Sequence, residues 1–309
     1  MALLIAGPTA SGKSAIALAL ARRLDGVVIN ADSMQVYRDL RILSARPSLE
    51  DEAMAPHRLY GHVDGAVNYS VGQWLTDMAA ALDAVRANGR TAIVVGGTGL
   101  YFMALTRGLS PMPAVPAQVR EAVRRAAAGE AAPALHARLH AVDPLMAAKL
   151  RPSDPQRILR ALEIFAATGR SLASFQAERS APLLARGTWR GVFLAPDRVA
   201  LRETINKRFD AMMNDDALHE VTALKARGLD PALPVMRAHG VPHLLAHLGG
   251  VLSREEAMTR AKDDTRAYAR RQHTFARHQL PEFLAMTPQA ALHAAARAAS
   301  VAAFADLSA

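Results

Sequence analysis

Residues 7–14 read Gly7-Pro8-Thr9-Ala10-Ser11-Gly12-Lys13-Ser14, the complete G-x-x-x-x-G-K-[ST] pattern, set between an apolar run at 2–6 and a helical stretch. Glycines free the backbone so that its N–H groups can turn inward around an anion. The helix that follows adds the positive end of its dipole. Lys13 supplies a charge, and the Ser14 hydroxyl can ligate Mg²⁺. This is chemistry for a diphosphate or triphosphate, a nucleotide such as ATP included. It leaves kinases, NTPases and diphosphate-releasing transferases open.

Two further segments carry polar groups at the ends of apolar runs. Asp32-Ser33-Met34-Gln35-Val36-Tyr37 follows the run 27–30. Ligands of open parallel sheets bind beyond the carboxyl ends of the strands, which sets Asp32 near the phosphate loop. A general base, a Mg²⁺ partner and a simple N-cap all fit an aspartate there. Val94-Val95-Gly96-Gly97-Thr98-Gly99-Leu100-Tyr101-Phe102 ends another run in a glycine pair and a hydroxyl. That loop can bring Thr98 to a phosphate, or it can be a tight strand-to-helix turn.

The elements that hold these residues follow from periodicity. Short apolar runs at 2–6, 27–30, 91–95 and 190–195 alternate with helical stretches at 14–24, 71–88, about 199–228 and 253–278. That alternation predicts a parallel sheet covered on both faces. Prolines 111, 113 and 116 mark an extended connector, after which 117–178 reads as helical, interrupted by Asp143-Pro144, Arg151-Pro152 and Asp154-Pro155. The expected architecture is an α/β core from residues 1–112 and 189–309, with an all-helical domain of residues 113–188 inserted. An Ala-rich tail reads as a packing helix.

Composition narrows the class. Hydrophobic residues make 51% and charged residues 21% of 309, as in an ordinary packed globule. No run offers ~18 consecutive apolar residues, so no membrane association is expected. The absence of cysteine excludes disulfides, Cys-ligated zinc and thiol nucleophiles, and with no signal-peptide pattern predicts a cytoplasmic location. Of the net charge of +9, residues 113–309 carry +8, a surplus that attracts polyanions such as RNA. His239, His243 and His247 lack the intervening acid of an H-E-x-x-H zinc helix and are weak evidence for metal.

GPTASGKS, ADSMQVYR and VVGGTGLYF, together with PHRLYGHVD (56–64), DPQRILRALE (154–163), NKRFDAMM (206–213) and TRAYARRQHTFAR (265–277), resemble the tRNA dimethylallyltransferases, or tRNA isopentenyltransferases. The match runs from residue 7 to residue 277. The resemblance implies a P-loop NTPase-like core whose inserted helical domain helps hold a tRNA anticodon stem-loop. It implies transfer of a dimethylallyl group from dimethylallyl diphosphate to N6 of the adenosine at tRNA position 37, with Mg²⁺ assisting and diphosphate released. By it Asp32 is the base for N6, Thr98 lies at the substrate, Arg208 clamps the diphosphate and residues Gly7 to Ser14 cradle it. It nominates Asp32, Ser33, Met34, Gln35, Thr98, Arg120, Gln156, Arg157, Ile158, Leu159, Arg160 and Arg237 for tRNA contact. The adenine is expected to be extruded into a channel, and the chain to act as a monomer.

The chain departs from the family twice. Ile42-Leu43-Ser44-Ala45-Arg46-Pro47 stands where the family usually reads IGTAKP. His239-Gly240-Val241-Pro242 replaces an Ile-Gly-Tyr-Arg/Lys stretch, so the aromatic and the base are missing.

Overall fold

The computed structural model describes residues 1–176 and 179–306; residues 177 and 178, the end of the expected helical stretch, lie outside them. The chain divides into two compact units, Met1–Thr106 with Leu183–Ala309, and Arg107–Pro182. The divisions fall six residues before those expected after 112 and 188. Backbone pairing is the reason. Leu184 N–H donates to Leu105 O at 3.1 Å and Ala2 N–H to Thr188 O at 2.9 Å, which ties 183–188 to the core.

The larger unit is built on a six-stranded parallel sheet: β1 (Ala2–Ala6), β2 (Gly26–Asn30), β3 (His57–Arg58), β4 (Thr91–Gly96), β5 (Trp189–Leu194) and β6 (Leu284–Met286). Their order is β3-β2-β4-β1-β5-β6, with Leu3 opposite Ile93 on one side and Arg190 on the other. The runs are apolar without alternation because both faces are covered. Leu3, Ile5, Val28, Ile93, Val95, Val192 and Leu194 pack with the helices Lys13–Arg23 and Pro288–Arg297. Leu4, Ile29, Val94 and Phe193 face the opposite layer, which contains Trp74, Met78, Phe102, Phe209 and Val241.

The expected helices form with small changes. The stretch 71–88 becomes Val71–Ala87, opened by a Ser70–Gln73 capping box. The stretch 199–228 is two helices, Arg198–Asn214 and Ala217–Ala226, separated where Asp216 takes φ +74°. The stretch 253–278 is the single helix Arg254–Gln279. The Ala-rich tail divides into Pro288–Arg297 and Val301–Asp306, with Ala291, Ala294 and Ala295 buried. Among the described residues no helix is long and apolar enough to cross a membrane.

The smaller unit is helical throughout its regular elements, chiefly Ala117–Ala126, Ala132–Val142 and Pro155–Thr168, around Leu135, Leu139, Ile158, Ala161 and Ile164. The Asp-Pro pairs are helix starts, not mere interruptions. Asp143 Oδ1 accepts from Met146 N–H at 3.0 Å and Asp154 Oδ1 from Arg157 N–H at 3.2 Å, each followed by proline at the first helical position. Glu163, only 2% exposed, accepts from Arg124 Nε at 2.9 Å and faces Arg160 at 3.5 Å.

Candidate active site

Three turns gather at the carboxyl ends of β1, β2 and β4, those after β1 and β4 leading directly into helices, and each is held by groups distant in sequence. After β1, the phosphate loop passes through left-handed backbone at Ala10 (φ +63°) and Gly12 (φ +81°). A side chain at position 12 would meet nothing within 4 Å, so the glycine is required by backbone conformation and not by space. The helix Lys13–Arg23 begins directly behind it. Thr9 N–H donates to Gln272 Oε1 at 2.9 Å.

Lys13 is 9% exposed, and its Nζ donates to Pro8 O at 3.2 Å. Among the described residues no carboxylate lies within 4.0 Å of it. Burial pulls its pKa down to about 8, partly opposed by the attraction of Asp32, while Arg208 adds to the depression. Arg208 is itself lowered by burial, again with Asp32 opposing. Two desolvated cations thus flank one carboxylate, a field that favours a bound anion. The Ser11 hydroxyl is buried, with no hydrogen-bond partner among the described residues.

After β2, Asn30 organises the turn. Its side chain accepts from Asp32 N–H at 2.8 Å and donates to Asp32 O at 2.9 Å and Leu59 O at 3.0 Å. Asp32 Oδ1 accepts from Met34 N–H at 2.9 Å, and no protein hydrogen bond engages Oδ2 among the described residues. Thr98, after β4, accepts from Ser33 N–H at 2.9 Å and so joins the second turn to the third. Gln272 donates to Gly97 O at 2.9 Å, so this one side chain clasps both the glycine loop and the phosphate loop. A Cβ at Gly97 would sit 2.1 Å from Gln272 Nε2. Gly97→Ala is expected to displace Gln272 and lower turnover on the order of a hundredfold, read by steady-state kinetics; an unchanged rate would remove Gln272 as a positioning residue.

Between these turns and the helices Arg198–Asn214 and Arg254–Gln279 lies a cleft. Thr9, Ala10, Asp32 and Arg208 form its polar side. Met34, Leu43, Phe209 and Met212 form much of its apolar side, and His239 and Tyr268 also line it. The His239 and Tyr268 rings lie 4.5 Å apart. Burial, reinforced by Arg271, holds His239 below its ordinary pKa against the opposing pull of Asp264 and Asp32. Burial raises the Tyr268 hydroxyl and keeps it protonated. The cleft therefore offers a carboxylate oxygen, the Arg208 cation and an apolar wall to one ligand.

The structure brings Asp32, Arg208, Thr9 and Ala10 into one cleft, with Met34 beside them. Ser14 is exposed on the first turn of its helix. Gln35 is 9% exposed, and its amide nitrogen donates to Ser44 O and Ala45 O at 2.9 and 2.7 Å, which helps shape the turn. Arg237 is exposed on the short turn Val235–Arg237, next to the cleft-lining Ala238. In the helical unit Gln156 and Arg157 are exposed, Arg157 facing Asp154 at 3.5 Å, and Arg120, Leu159 and Arg160 are half-buried. Ile158 corrects the sequence reading. It is fully buried in that unit's core, because it lies on the opposite helix face from its polar neighbours, and its side chain cannot contact tRNA.

The departures at 42–47 also find their places. Leu43 lines the cleft, and Ile42 and Leu43 N–H groups donate to Glu220 at 2.9 Å each. Ser44 Oγ donates to Leu40 O at 2.6 Å, and Arg46 caps Tyr37 O at 3.3 Å. His243 pairs with Asp264 at 2.8 Å, and His247 Nδ1 meets Leu252 O at 3.1 Å. Sequence reasoning does not single out Gln272 and Tyr268. Thr265, Tyr268 and Gln272 share one helix face by their spacing, a signal already present in the segment 265–277.

A parallel sheet with a glycine-lysine loop on its central strand, two buried cations and a carboxylate at the carboxyl ends defines a phosphate-loop α/β protein. Comparison with known proteins narrows that class. The family model for IPP transferase matches residues 35–279. The chain is 63% identical to a tRNA dimethylallyltransferase of Methylocella silvestris, over 94% of this chain and 96% of that one. It is 62% identical to a tRNA dimethylallyltransferase of Beijerinckia indica, over 94% and 96%. Among solved structures it resembles the full-length tRNA isopentenylpyrophosphate transferase of Bacillus halodurans at 28% identity and TM-score 0.69, covering 99% and 97% of the two chains. It also resembles a eukaryotic dimethylallyltransferase captured acting on tRNA, at 26% identity and TM-score 0.76, covering 93% of this chain and 73% of that one. The chain belongs to the IPP transferase family.

Proposed function

We propose that this chain transfers the dimethylallyl group of dimethylallyl diphosphate to N6 of the adenosine at tRNA position 37, releasing diphosphate. The observation that carries the reading is the cleft that Asp32 and Arg208 line together, with buried Lys13 of the phosphate loop within electrostatic reach of both. The N6 amine is a poor nucleophile, because its lone pair is delocalised into the adenine ring. As N6 attacks the allylic carbon, the carbon–oxygen bond breaks and its electron pair leaves on the diphosphate. Asp32 Oδ2, which no hydrogen bond engages among the described residues, accepts the N6 proton. Lys13, Arg208 and the N–H groups of residues 10 and 12–14 stabilise the departing charge. Met34, Leu43, Phe209 and Met212 offer apolar contact to the prenyl group. Thr98 and Gln272 fix the turns that hold the base and the anion cradle in register.

The residues present are compatible with Mg²⁺. Ser14 presents an exposed hydroxyl oxygen at the loop's end, while no group of three His, Asp or Glu side chains gathers among the described residues. That donor set suits a cation held by one hydroxyl, substrate phosphate oxygens and water. When bound it would neutralise part of the leaving group's charge. Exposed Arg157, Gln156 and Arg237 are the side chains most open to tRNA. The adenine must leave its stack to reach a recessed carboxylate.

The test is a single assay. Purified protein is incubated with labelled dimethylallyl diphosphate, Mg²⁺ and unmodified tRNA, with AMP in a parallel tube. Label in tRNA is the expected result; label in AMP only, or in neither, overturns the proposal.

Lys13 also gives the site a pH signature. Its folded pKa is depressed to about 8, so the bare protein loses the ammonium above that pH and gains stability from this group as pH rises toward 10.5. A bound anion favours the ammonium. Binding inorganic diphosphate at about pH 9 is therefore expected to take up close to one proton that it does not take up at about pH 7. Calorimetry in two buffers of different ionisation enthalpy reads the uptake, and Lys13→Met supplies the baseline. Equal proton uptake in wild type and Lys13→Met would contradict the assignment.

A further inference from the structure

A second cleft opens on the other flank of the same helix pair. It is open to solvent and is walled by Arg198 and Arg202 from one helix and by Arg266, Arg270 and His273 from the other. It begins just past the carboxyl end of β5, at Pro196, and β5 is the direct neighbour of the strand that carries the phosphate loop. Ile205 lines both clefts, so they share a wall.

The charge arrangement is unfavourable for a purely structural surface. Arg198 and Arg202 are four residues apart, as are Arg266 and Arg270, and like charges at that spacing weaken a helix. Arg266 is neutralised by Asp263 and donates to Asn206 at 2.6 Å. Among the described residues no carboxylate lies within 4.0 Å of Arg198, Arg202 or Arg270. Four arginines, of which Arg198, Arg202 and Arg270 are exposed, therefore line a concavity that has a single acid, Asp263, in its lining. Guanidinium forks match phosphate oxygens, and a low-dielectric concave wall focuses their field. A recess, placed at the carboxyl end of a parallel sheet, suits a small ligand; an RNA backbone asks for an extended track.

We infer that this cleft is a second site for a diphosphate group, free or esterified to a prenyl chain, separate from the phosphate loop and next to it. The identity of the natural ligand rests on the proposed prenyl transfer; the site itself does not. A diphosphate held there would lie one side chain away from the reaction cleft, either before it is consumed or after it is released.

The test is calorimetry on the full chain at about 0.15 M salt, where exposed charges are largely screened beyond ~8 Å. Inorganic diphosphate and dimethylallyl diphosphate are titrated separately into wild type, Lys13→Met, Arg202→Gln/Arg270→Gln and Arg198→Gln/Arg202→Gln. Wild type is expected to bind two equivalents and Lys13→Met to keep one. Each arginine double variant is expected to weaken that Lys13-independent site about tenfold or more and to spare the other. Tighter binding of the prenyl ester there marks a substrate site, and tighter binding of the inorganic ion a product site; both support the inference. A single equivalent abolished by Lys13→Met overturns it, as does a second equivalent that survives both double variants. Loss of tRNA affinity with diphosphate binding intact also overturns it and assigns the arginines to RNA. Failure of the phosphate-loop reading shows up separately, as a Lys13→Met protein that keeps both equivalents.

Discussion

Asp32→Asn is expected to lower the single-turnover rate of prenyl transfer by about 10²–10⁴-fold while leaving tRNA affinity nearly unchanged. The substitution keeps the shape of the turn. The amide oxygen of the new side chain can still accept from Met34 N–H, and the backbone of residue 32 keeps its bonds to Asn30. What is lost is a carboxylate oxygen able to take a proton. Asp32 also helps Lys13 remain charged, so the comparison belongs at about pH 7, below the depressed lysine pKa. Rapid mixing of labelled dimethylallyl diphosphate with enzyme already bound to tRNA isolates the chemical step. A rate equal to wild type would remove Asp32 as the base.

Lys13→Met should move function and stability in opposite directions. The lysine is buried with no carboxylate within 4.0 Å among the described residues, an arrangement that costs free energy. Methionine has nearly the same length and no charge. The variant is expected to unfold at an equal or higher temperature than wild type. Its affinity for inorganic diphosphate should fall by roughly ten- to a hundredfold, the equivalent of about 1.5–3 kcal/mol for a charge-assisted hydrogen bond. Thermal unfolding and calorimetry on one preparation measure both. A protein that loses stability and keeps its diphosphate affinity would show that Lys13 serves the fold.

The parts of the fold that are legible in sequence are those with strong local causes. β1, β2, β4 and β5 are continuous apolar runs because the layers above and below both bury them. β3 and β6, at two and three residues, are too short for any period to register, and they exist because parallel neighbours pair with them. Asp216 breaks an otherwise continuous helical pattern through its own left-handed backbone, which composition does not announce. Asp143-Pro144 and Asp154-Pro155 read as punctuation in sequence, yet the aspartate caps the helix that the proline begins.

The site shows the same division. The phosphate loop is a local conformational device and can be read from eight residues. Gln272 meets Thr9 across 263 positions of chain, so no local pattern joins them. Ile158 travels with polar neighbours in sequence, though its helix turns it into the core. The apolar wall of Leu43, Phe209 and Met212 joins a turn near residue 43 to the helix Arg198–Asn214 and becomes a surface only when the chain is folded.

The most direct measurement is a crystal structure of this chain with the unreactive thiolo analogue of dimethylallyl diphosphate. The account predicts both phosphorus atoms inside the turn formed by residues 9–14, within reach of Lys13 Nζ and the Arg208 guanidinium, with the allylic carbon facing Asp32 Oδ2. A diphosphate seated away from that turn, with the Asp32 carboxylate directed elsewhere, would contradict it.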